Sequence, residues 1–412
     1  MKYVINNQLV LSRSPEGPLA AYIDSFASSL SEQGYARSSI HRQVLLAAGL
    51  SRWLQRQGVG PRHITSDHPA RYLRHRARQA RPCRGDAAAL EHFIEFLCRE
   101  GVIPAKKLSA PRLTAAERCA QAYEQYLREA RALARATVVN YLPFVHRFLK
   151  DHFGDGRVTL SRLRAEDVVG FVQREAPRLS RKRAKLMTTA LRSFLRYVRY
   201  RGETSLDLAA AVPVVPNWSM SSIPRAIPAD QVRQLLASID RGTTTGRRDY
   251  AILLLLARLG LRASEVAFLE LDDIDWNMGR LTVRGKSGQR NDLPLPAEVG
   301  RAIAVYLRRG RPSSTSRRVF LRARAPIRGF RGPIAVCSVV RHALQRAGIK
   351  APNCGAHQFR HGLATEMLRG GASLDEIGEL LGHRHPQTTK IYTHVDVQAL
   401  RSLALPWPGG AR

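Results

Sequence analysis

Cysteine is scarce in this chain, and long apolar runs are missing. The 412 residues contain five cysteines, an odd number, and none forms a Cys-x-x-Cys pair. This pattern argues against a disulfide framework and against a cysteine zinc cluster. The most apolar segment, residues 251–257, is far shorter than the roughly 18 residues that a membrane span needs. The N-terminus also lacks the apolar core of a signal peptide. These absences predict free thiols, no membrane association and a cytoplasmic location.

Acidic residues are few compared with basic ones. The chain has 33 Asp and Glu against 66 Lys and Arg, a net charge of +33. A surplus of this size predicts a polyanionic partner, and nucleic acid is the first candidate. Only nine of the basic residues are lysines, so arginine, which binds phosphate in a planar two-pronged manner, carries most of the charge.

Side chains suited to phosphate chemistry are concentrated after residue 258. An arginine lies in the segment Leu-Gly-Leu-Arg-Ala-Ser-Glu (259–265), and a lysine lies in a glycine-containing turn (284–290). The segment His-Gln-Phe-Arg-His (357–361) is followed by Leu-Gly-His (381–383), and a tyrosine follows nine residues later. The six candidate catalytic residues are Arg262, Lys286, His357, Arg360, His383 and Tyr392.

These six residues supply what metal-independent cleavage of a phosphodiester requires. A nucleophile must attack phosphorus, cationic donors must hold the non-bridging oxygens, and an acid must protonate the leaving oxygen. Tyr392 is the candidate nucleophile, because clustered cations favour its phenolate and the transition state. Arg360 offers a bidentate contact, His357 can move protons near neutral pH, and Lys286 in its turn is a candidate general acid. The sequence thus predicts no metal and no cofactor.

The motifs and their order resemble the tyrosine recombinase (phage integrase) family, strongly over residues 225–400 and loosely over 115–205. The resemblance implies a site-specific integrase or recombinase that cleaves and rejoins DNA through a covalent 3′-phosphotyrosine, serving a mobile element. It makes Arg262 the first phosphate-binding arginine and His383 a donor to a non-bridging oxygen. Outside the reacting atoms, Glu265 is expected to orient a basic partner or to start a helix, and His361 to be structural. Phe359 and Gly362 depart from the family pattern and are expected to affect packing only.

The spacing of apolar residues predicts a mainly α fold with a small antiparallel sheet in the C-terminal domain. Strands are predicted around residues 281–283 and 292–295, and Ser264 is expected to cap the helix that follows Arg262. A pattern of Leu, two aromatic positions and a final Gly recurs at residues 90–101 and 191–202, which indicates a duplicated helical bundle. The predicted domains are an N-terminal helical module (1–110), a core-binding SAM-like bundle (111–210) and a catalytic domain (225–412).

Two basic segments in the N-terminal half are candidate DNA-binding surfaces, although a charge run is often only solvated. They are expected to occupy similar places in the two repeats. Their residues are Arg71, Arg74, Arg76 and Arg78 in the first segment, and Arg181, Lys182, Arg183 and Lys185 in the second. The expected partners are double-stranded DNA and further copies of the chain, as a tetramer in the synaptic complex. An apolar pattern at residues 395–405 predicts that the C-terminal tail docks on a neighbouring subunit.

Three other functions compete with this interpretation. A type IB topoisomerase shares the chemistry but relaxes DNA by swivelling. A zinc hydrolase is suggested by the H-x-x-x-H spacing of His357 and His361, but Gln358 replaces the catalytic glutamate of such enzymes and Arg360 would repel the metal. A catalytically inactive DNA-binding protein is the third alternative, and the complete set of six residues argues against it.

Overall fold

The computed structural model describes residues 14–81, 83–104, 113–215, 226–285, 290–351, 355–382 and Thr389, together with the backbone of two short N-terminal strands. Contacts divide the chain into two compact units. One unit contains Met1–Lys107 and Ser222–Arg412, and the other is Leu108–Ser221. The first 107 residues therefore group with the C-terminal part of the chain.

The N-terminal bundle, residues 14–104, has four helices around an aromatic core. Phe26 packs against Phe93 and Phe96 with ring centroids 4.8 and 5.5 Å apart, and all three side chains are buried. Burial at intervals of three and four residues explains why these segments are amphipathic helices. The elements are β1 (Tyr3–Ile5) paired antiparallel with β2 (Leu9–Leu11), then α1 (Ile23–Glu32), α2 (Arg37–Arg56), α3 (Asp67–Ala77) and α4 (Asp86–Arg99).

The middle bundle, residues 113–215, also has four helices and an aromatic core. Tyr123 packs against Phe194 and Tyr197 at centroid distances of 5.2 and 5.3 Å. A capping box starts its first helix, since Thr114 Oγ1 accepts from the N–H of Glu117 and the Glu117 carboxylate accepts from the N–H of Thr114. The helices are α5 (Ala115–Glu129), α6 (Arg135–Phe153), α7 (Ala165–Glu175) and α8 (Arg181–Tyr200).

The two bundles repeat the same internal arrangement. In each, an aromatic residue of the first helix packs on two aromatic residues of the fourth, as described above. Trp53 packs on Tyr72 at 6.0 Å in the first bundle, and Phe148 packs on Phe171 at 5.2 Å in the second. Each fourth helix is followed by a left-handed glycine, Gly101 or Gly202, with φ of 73° and 71°. The aromatic residues at corresponding positions of the two fourth helices are all buried: Phe93 and Phe96 in the first bundle, and Phe194 and Tyr197 in the second.

The C-terminal domain is mainly helical with a three-stranded antiparallel sheet, as the sequence predicts. The most apolar segment lies inside α10, where residues 251–256 are fully buried and form the centre of the core. Among the described helices, none is long and apolar enough to cross a bilayer. The helices are α9 (Ala229–Ala237), α10 (Thr244–Leu259), α11 (Ala263–Phe268), α12 (Ala297–Arg309), α13 (Pro333–Arg346), α14 (His357–Arg369) and α15 (Leu374–Leu380). The sheet order is β3 (Ile274–Asp275), β4 (Arg280–Arg284), β5 (Arg290–Pro294).

One expectation is wrong. Ser264 does not cap α11, because the N-cap is Arg262 and the carboxylate of Glu265 closes the first turn. The first basic segment lies on the third helix of its bundle and the second starts the fourth helix, so both border the connection between the third and fourth helices of their repeat.

Candidate active site

Arg262 is the N-cap residue of α11 and is hydrogen-bonded to the carboxylate of Glu265. Its backbone N–H donates to Oε2 of Glu265 at 2.7 Å, and its Nη1 donates to Oε1 at 2.7 Å. The Glu265 side chain is only 4% exposed, whereas that of Arg262 is 27% exposed. A buried carboxylate therefore fixes the direction of a guanidinium that solvent, or a ligand, can still reach.

Arg360 lies on the buried side of α14 and is 3% exposed. Its Nη1 donates to the carbonyl of Gly260 at 2.9 Å, and its Nη2 donates to the carbonyl of Leu381. A buried guanidinium is costly unless it is hydrogen-bonded. These two bonds join residues 100 and 21 positions away in the sequence, so Arg360 links three of the motifs.

The two arginines converge on one turn. Nη2 of Arg262 reaches the carbonyl of Gly382 at 3.4 Å, while Arg360 donates to Leu381, the preceding residue. The turn lies directly before His383. The turn packs closely on Gly260, because a Cβ built at Gly260 would lie 2.8 Å from Cδ2 of Leu381. Gly260 itself has a φ of 60°, which favours glycine.

The hairpin formed by β4 and β5 reaches the same turn. Gly382 has a φ of 57°, and a Cβ at this position would collide with the side-chain amide of Asn291 on β5. Lys286 lies in the connection of this hairpin, five residues before Asn291. Lys286, His383 and Tyr392 lie outside the described residues, so their contacts remain expectations.

His357 and His361 lie one turn apart on α14, with ring centroids 5.9 Å apart and planes 25° from parallel. His357 is exposed, whereas His361 is half-buried behind it. Burial, together with the nearby His357 and Arg360, lowers the pKa of His361 to about 4. His361 is therefore neutral near pH 7 and adds no charge beside the arginines.

We expect His361 to make the fold sensitive to acid. Its folded-state pKa lies below its ordinary value of 6.5, so its contribution to stability is complete above pH 6.5 and is lost as pH falls towards 4. With a discount for the solvent-exposed part of the ring, we expect a loss of about 1–2 kcal/mol. Denaturant unfolding of His361→Gln should show a flatter pH dependence than wild type across this window. The control His342→Gln removes an exposed imidazole from α13 and should keep the wild-type slope; equal slopes in all three proteins would contradict the assignment.

The two departures from the family pattern concern packing. Phe359 is 1% exposed and belongs to the main core. At Gly362, a Cβ would lie 2.9 Å from the carbonyl oxygen of Ile227. The same short segment is bonded to α14, because the N–H of Ile227 donates to the carbonyl of Gln358 at 3.4 Å. Gly362 thus allows the backbone before α9 to lie directly on α14.

The candidate DNA-binding residues have different surroundings in the two bundles. Arg181, Lys182, Arg183 and Lys185 are all exposed at the start of α8, and Arg183 stacks over the ring of Phe144 at 5.0 Å. In the N-terminal bundle, Arg74 and Arg78 are exposed. Arg76 instead pairs with the buried Asp86 at 2.8 Å, and Arg71 lies over the Trp53 ring at 5.9 Å. Arg76 is therefore tied to its own bundle, which sequence could not reveal.

Within the ranges that the structure describes, no three His, Cys, Asp or Glu side chains form a group that could hold a metal ion. His357 and His361 lie next to Arg360 on α14, and among the described residues no third His, Cys, Asp or Glu completes a metal-binding group with them.

Comparison with known proteins decides the family. The profile of the Phage integrase family matches residues 225–399, and that of the phage integrase N-terminal SAM-like domain matches residues 120–202. A Sinorhizobium fredii protein, y4rA, whose name describes it as an integrase/recombinase, is 59% identical over the full length of both chains. The chain belongs to the tyrosine recombinase (phage integrase) family. The Phage integrase match includes all six candidate catalytic residues.

A second relative and a solved structure agree with this membership. Tyrosine recombinase XerD of Mycobacterium tuberculosis is 34% identical over 308 residues, which cover 70% of this recombinase and 96% of XerD. A lambda integrase tetramer bound to a Holliday junction superposes with a TM-score of 0.52, at 15% identity, over 76% of this chain and 87% of that one. At this identity the structural likeness concerns the fold.

Proposed function

We propose that this chain is a site-specific recombinase or integrase that cleaves and rejoins double-stranded DNA through a covalent bond between Tyr392 and a 3′-phosphate. The observation that carries the proposal is the convergence of Arg262 and Arg360 on the Leu381–Gly382 turn. Two guanidiniums from motifs about 100 residues apart meet directly before His383, as a site for one phosphate requires. Membership of the tyrosine recombinase family supports the same chemistry.

Each candidate has a distinct role in this mechanism. Arg262 and Arg360 hold the non-bridging oxygens, since a guanidinium presents its N–H donors in a planar fork that matches a phosphate. His383 donates to the same oxygens, and His357, exposed at the start of α14, transfers protons. Glu265 positions Arg262, and His361 supports the ring of His357.

Tyr392 is the nucleophile. It follows Thr389 by three residues, a chain length of at most about 11 Å. Thr389 is buried, and its hydroxyl lies 3.1 Å from the position that a Cβ at Gly378 on α15 would take. Gly378 is itself three residues before Leu381, the first residue of the turn on which the arginines converge. Thr389 thus lies beside the helix that leads into this turn, which supports the assignment of Tyr392, three residues further along the chain, as the nucleophile.

Lys286 is the general acid, and a modified substrate can test this role. Replacement of the 5′-bridging oxygen by sulfur gives a leaving group that needs no proton. We expect Lys286→Ala to lose cleavage of ordinary DNA and to regain most of it on the sulfur substrate, whereas Arg360→Ala should regain little. Single-turnover rates on both substrates give the comparison, with Lys350→Ala as the matched control at an exposed lysine. Equal rescue of both variants, or rescue of neither, would assign the proton transfer to His357 or to water.

The DNA-binding surface extends beyond the catalytic domain. The exposed basic residues 181–185 of the middle bundle lie inside the segment that matches the SAM-like domain, and a net charge of +33 favours contact with many phosphates. The lambda integrase structure is a tetramer on a Holliday junction. By this likeness, a tetramer is the proposed synaptic state. The tails at residues 395–405 are proposed to join its subunits. The proposed place of action is the cytoplasm, and the proposed role is to serve a mobile element.

Covalent trapping tests the proposed function. A DNA nicked near the cleavage point releases its short end after attack and prevents rejoining, so the protein stays attached to the 3′-phosphate and leaves a free 5′-hydroxyl. The adduct should form in EDTA, because no step uses a metal. Sequencing the trapped end identifies the target, and the joining of ends from two separately labelled duplexes distinguishes recombination from relaxation by a topoisomerase. A chelator-sensitive reaction without an adduct would support the hydrolase alternative.

A further inference from the structure

The turn between α1 and α2 of the N-terminal bundle touches a loop of the C-terminal domain. This turn, Gln33–Tyr35, follows α1 and is closed by a left-handed Gly34 with φ of 77°, while the N–H of Tyr35 donates to the carbonyl of Leu30 at 3.1 Å. The carbonyl of Gln33 accepts the N–H of Ile327 at 2.8 Å. A Cβ built at Gly34 would lie 2.6 Å from Cγ1 of Ile327, so the isoleucine packs directly on the glycine.

The loop that bears Ile327, residues 322–328, is rooted in the core of the C-terminal domain. The N–H of Arg322 donates to the carbonyl of Arg328 at 2.9 Å, and Leu321 forms a bridge with Gly329. Below the loop, the buried Arg248 donates from Nη1 to the carbonyl of Leu321 at 3.0 Å. The loop is therefore a preformed support and loses little freedom when another surface binds to it.

Charge is complementary across this contact. The loop carries Arg322, Arg324 and Arg328, whereas Glu32, Glu95 and Glu100 are exposed on the facing ends of α1 and α4. A cavity of 680 Å³ is lined by α1 and α4 residues on one side and by Arg328 on the other. Burial lowers the pKa of Arg328, an effect that Tyr35 and Glu95 of the bundle oppose. An acidic patch is unusual in a chain with a net charge of +33, and here it shares a cavity with Arg328.

From these contacts we propose that the N-terminal bundle docks on the C-terminal domain of its own chain, through the Gln33–Tyr35 turn and the 322–328 loop. One hydrogen bond, one apolar contact and a few opposite charges would bind weakly between separate molecules. The covalent connection gives the bundle an effective concentration in the millimolar range, at which a weak contact is occupied. The bundle then forms one body with the catalytic residues and adds its exposed arginines to that body.

A disulfide measures this proximity in the full-length protein. The Cβ built at Gly34 lies 3.5 Å from Cβ of Ile327, within the range of about 3.5–4.5 Å that a disulfide needs. Gly34→Cys with Ile327→Cys, in a Cys83→Ser background, should give an oxidised monomer of altered mobility on a non-reducing gel. The matched control is Gly58→Cys with Ile327→Cys. Gly58 also has a positive φ, of 65°, but it follows the opposite end of α2 and a Cβ there has no neighbour within 4 Å.

Docking predicts that the Gly34 pair oxidises about tenfold faster than the Gly58 pair. Equal rates would overturn the proposal, and a covalent dimer as the main product would show that the bundle docks on another copy.

A second experiment avoids the strain of a side chain at Gly34. A protease site placed in residues 105–112 cuts the bundle free, and size-exclusion chromatography reports whether it stays bound. Ile327→Asp should release the cut bundle. The control Ile334→Asp, at a residue 83% exposed on α13, should retain it. Release of the bundle from the protein that carries the protease site but no substitution at residue 327 would also overturn the proposal.

Discussion

Tyr392→Phe should bind DNA with wild-type affinity and form no covalent adduct with a nicked suicide substrate. The change removes one hydroxyl oxygen, so the phosphate loses its attacking atom while the cationic surface that binds DNA is unchanged. The measurement is a denaturing gel of labelled DNA after incubation in EDTA, beside a filter-binding or anisotropy titration. We expect the adduct to fall below detection.

A matched control separates this effect from a general loss of tyrosine hydroxyls. Tyr200 is 76% exposed in the middle bundle, and Tyr200→Phe should form the adduct at the wild-type rate. An adduct that persists in Tyr392→Phe would assign the nucleophile to another residue. A wild-type adduct that needs magnesium would contradict the metal-independent mechanism as a whole.

The local parts of the fold could be predicted from the sequence because they depend on short-range patterns. Apolar spacing predicted a mainly α fold, and the β4–β5 hairpin followed from two apolar strands around a glycine-containing turn. The repeat between the two bundles was also visible, since aromatic residues and a final glycine recur at residues 90–101 and 191–202. Such signals survive because each helix must bury one face whatever its surroundings.

The long-range parts could not be predicted in the same way. Nothing in the sequence around Arg360 indicates that it donates to Gly260 and Leu381, or that Arg76 is neutralised by Asp86. The cap of α11 was misassigned because a serine is the commoner cap, whereas here the pairing of Arg262 with Glu265 takes its place. The contact between Gln33 and Ile327 joins residues almost 300 positions apart, and no local pattern encodes it.

Arg262→Ala and Arg360→Ala should each slow DNA cleavage by about 10²–10³-fold, or roughly 2.7–4 kcal/mol of transition-state stabilisation. Each change removes one preorganised cation from the Leu381–Gly382 turn. DNA affinity should fall little, because many other phosphate contacts share the binding energy. Single-turnover cleavage at saturating DNA measures the rate per bound complex, and a titration measures affinity.

The structure also predicts that the two arginine variants differ in stability. Arg360 is buried and bonded to two carbonyls, so its removal leaves polar groups unsatisfied and should cost about 1–3 kcal/mol of folding stability. Arg262 is partly exposed and should cost less, because the buried Glu265 loses the bond from Nη1 but keeps the bond from the backbone N–H of residue 262. Arg258→Ala is the control, since this arginine, four residues before Arg262, pairs with Glu298 on the surface and should change neither rate nor stability. If DNA affinity collapses while the cleavage rate per complex is unchanged, Arg262 and Arg360 anchor DNA and do not stabilise the transition state.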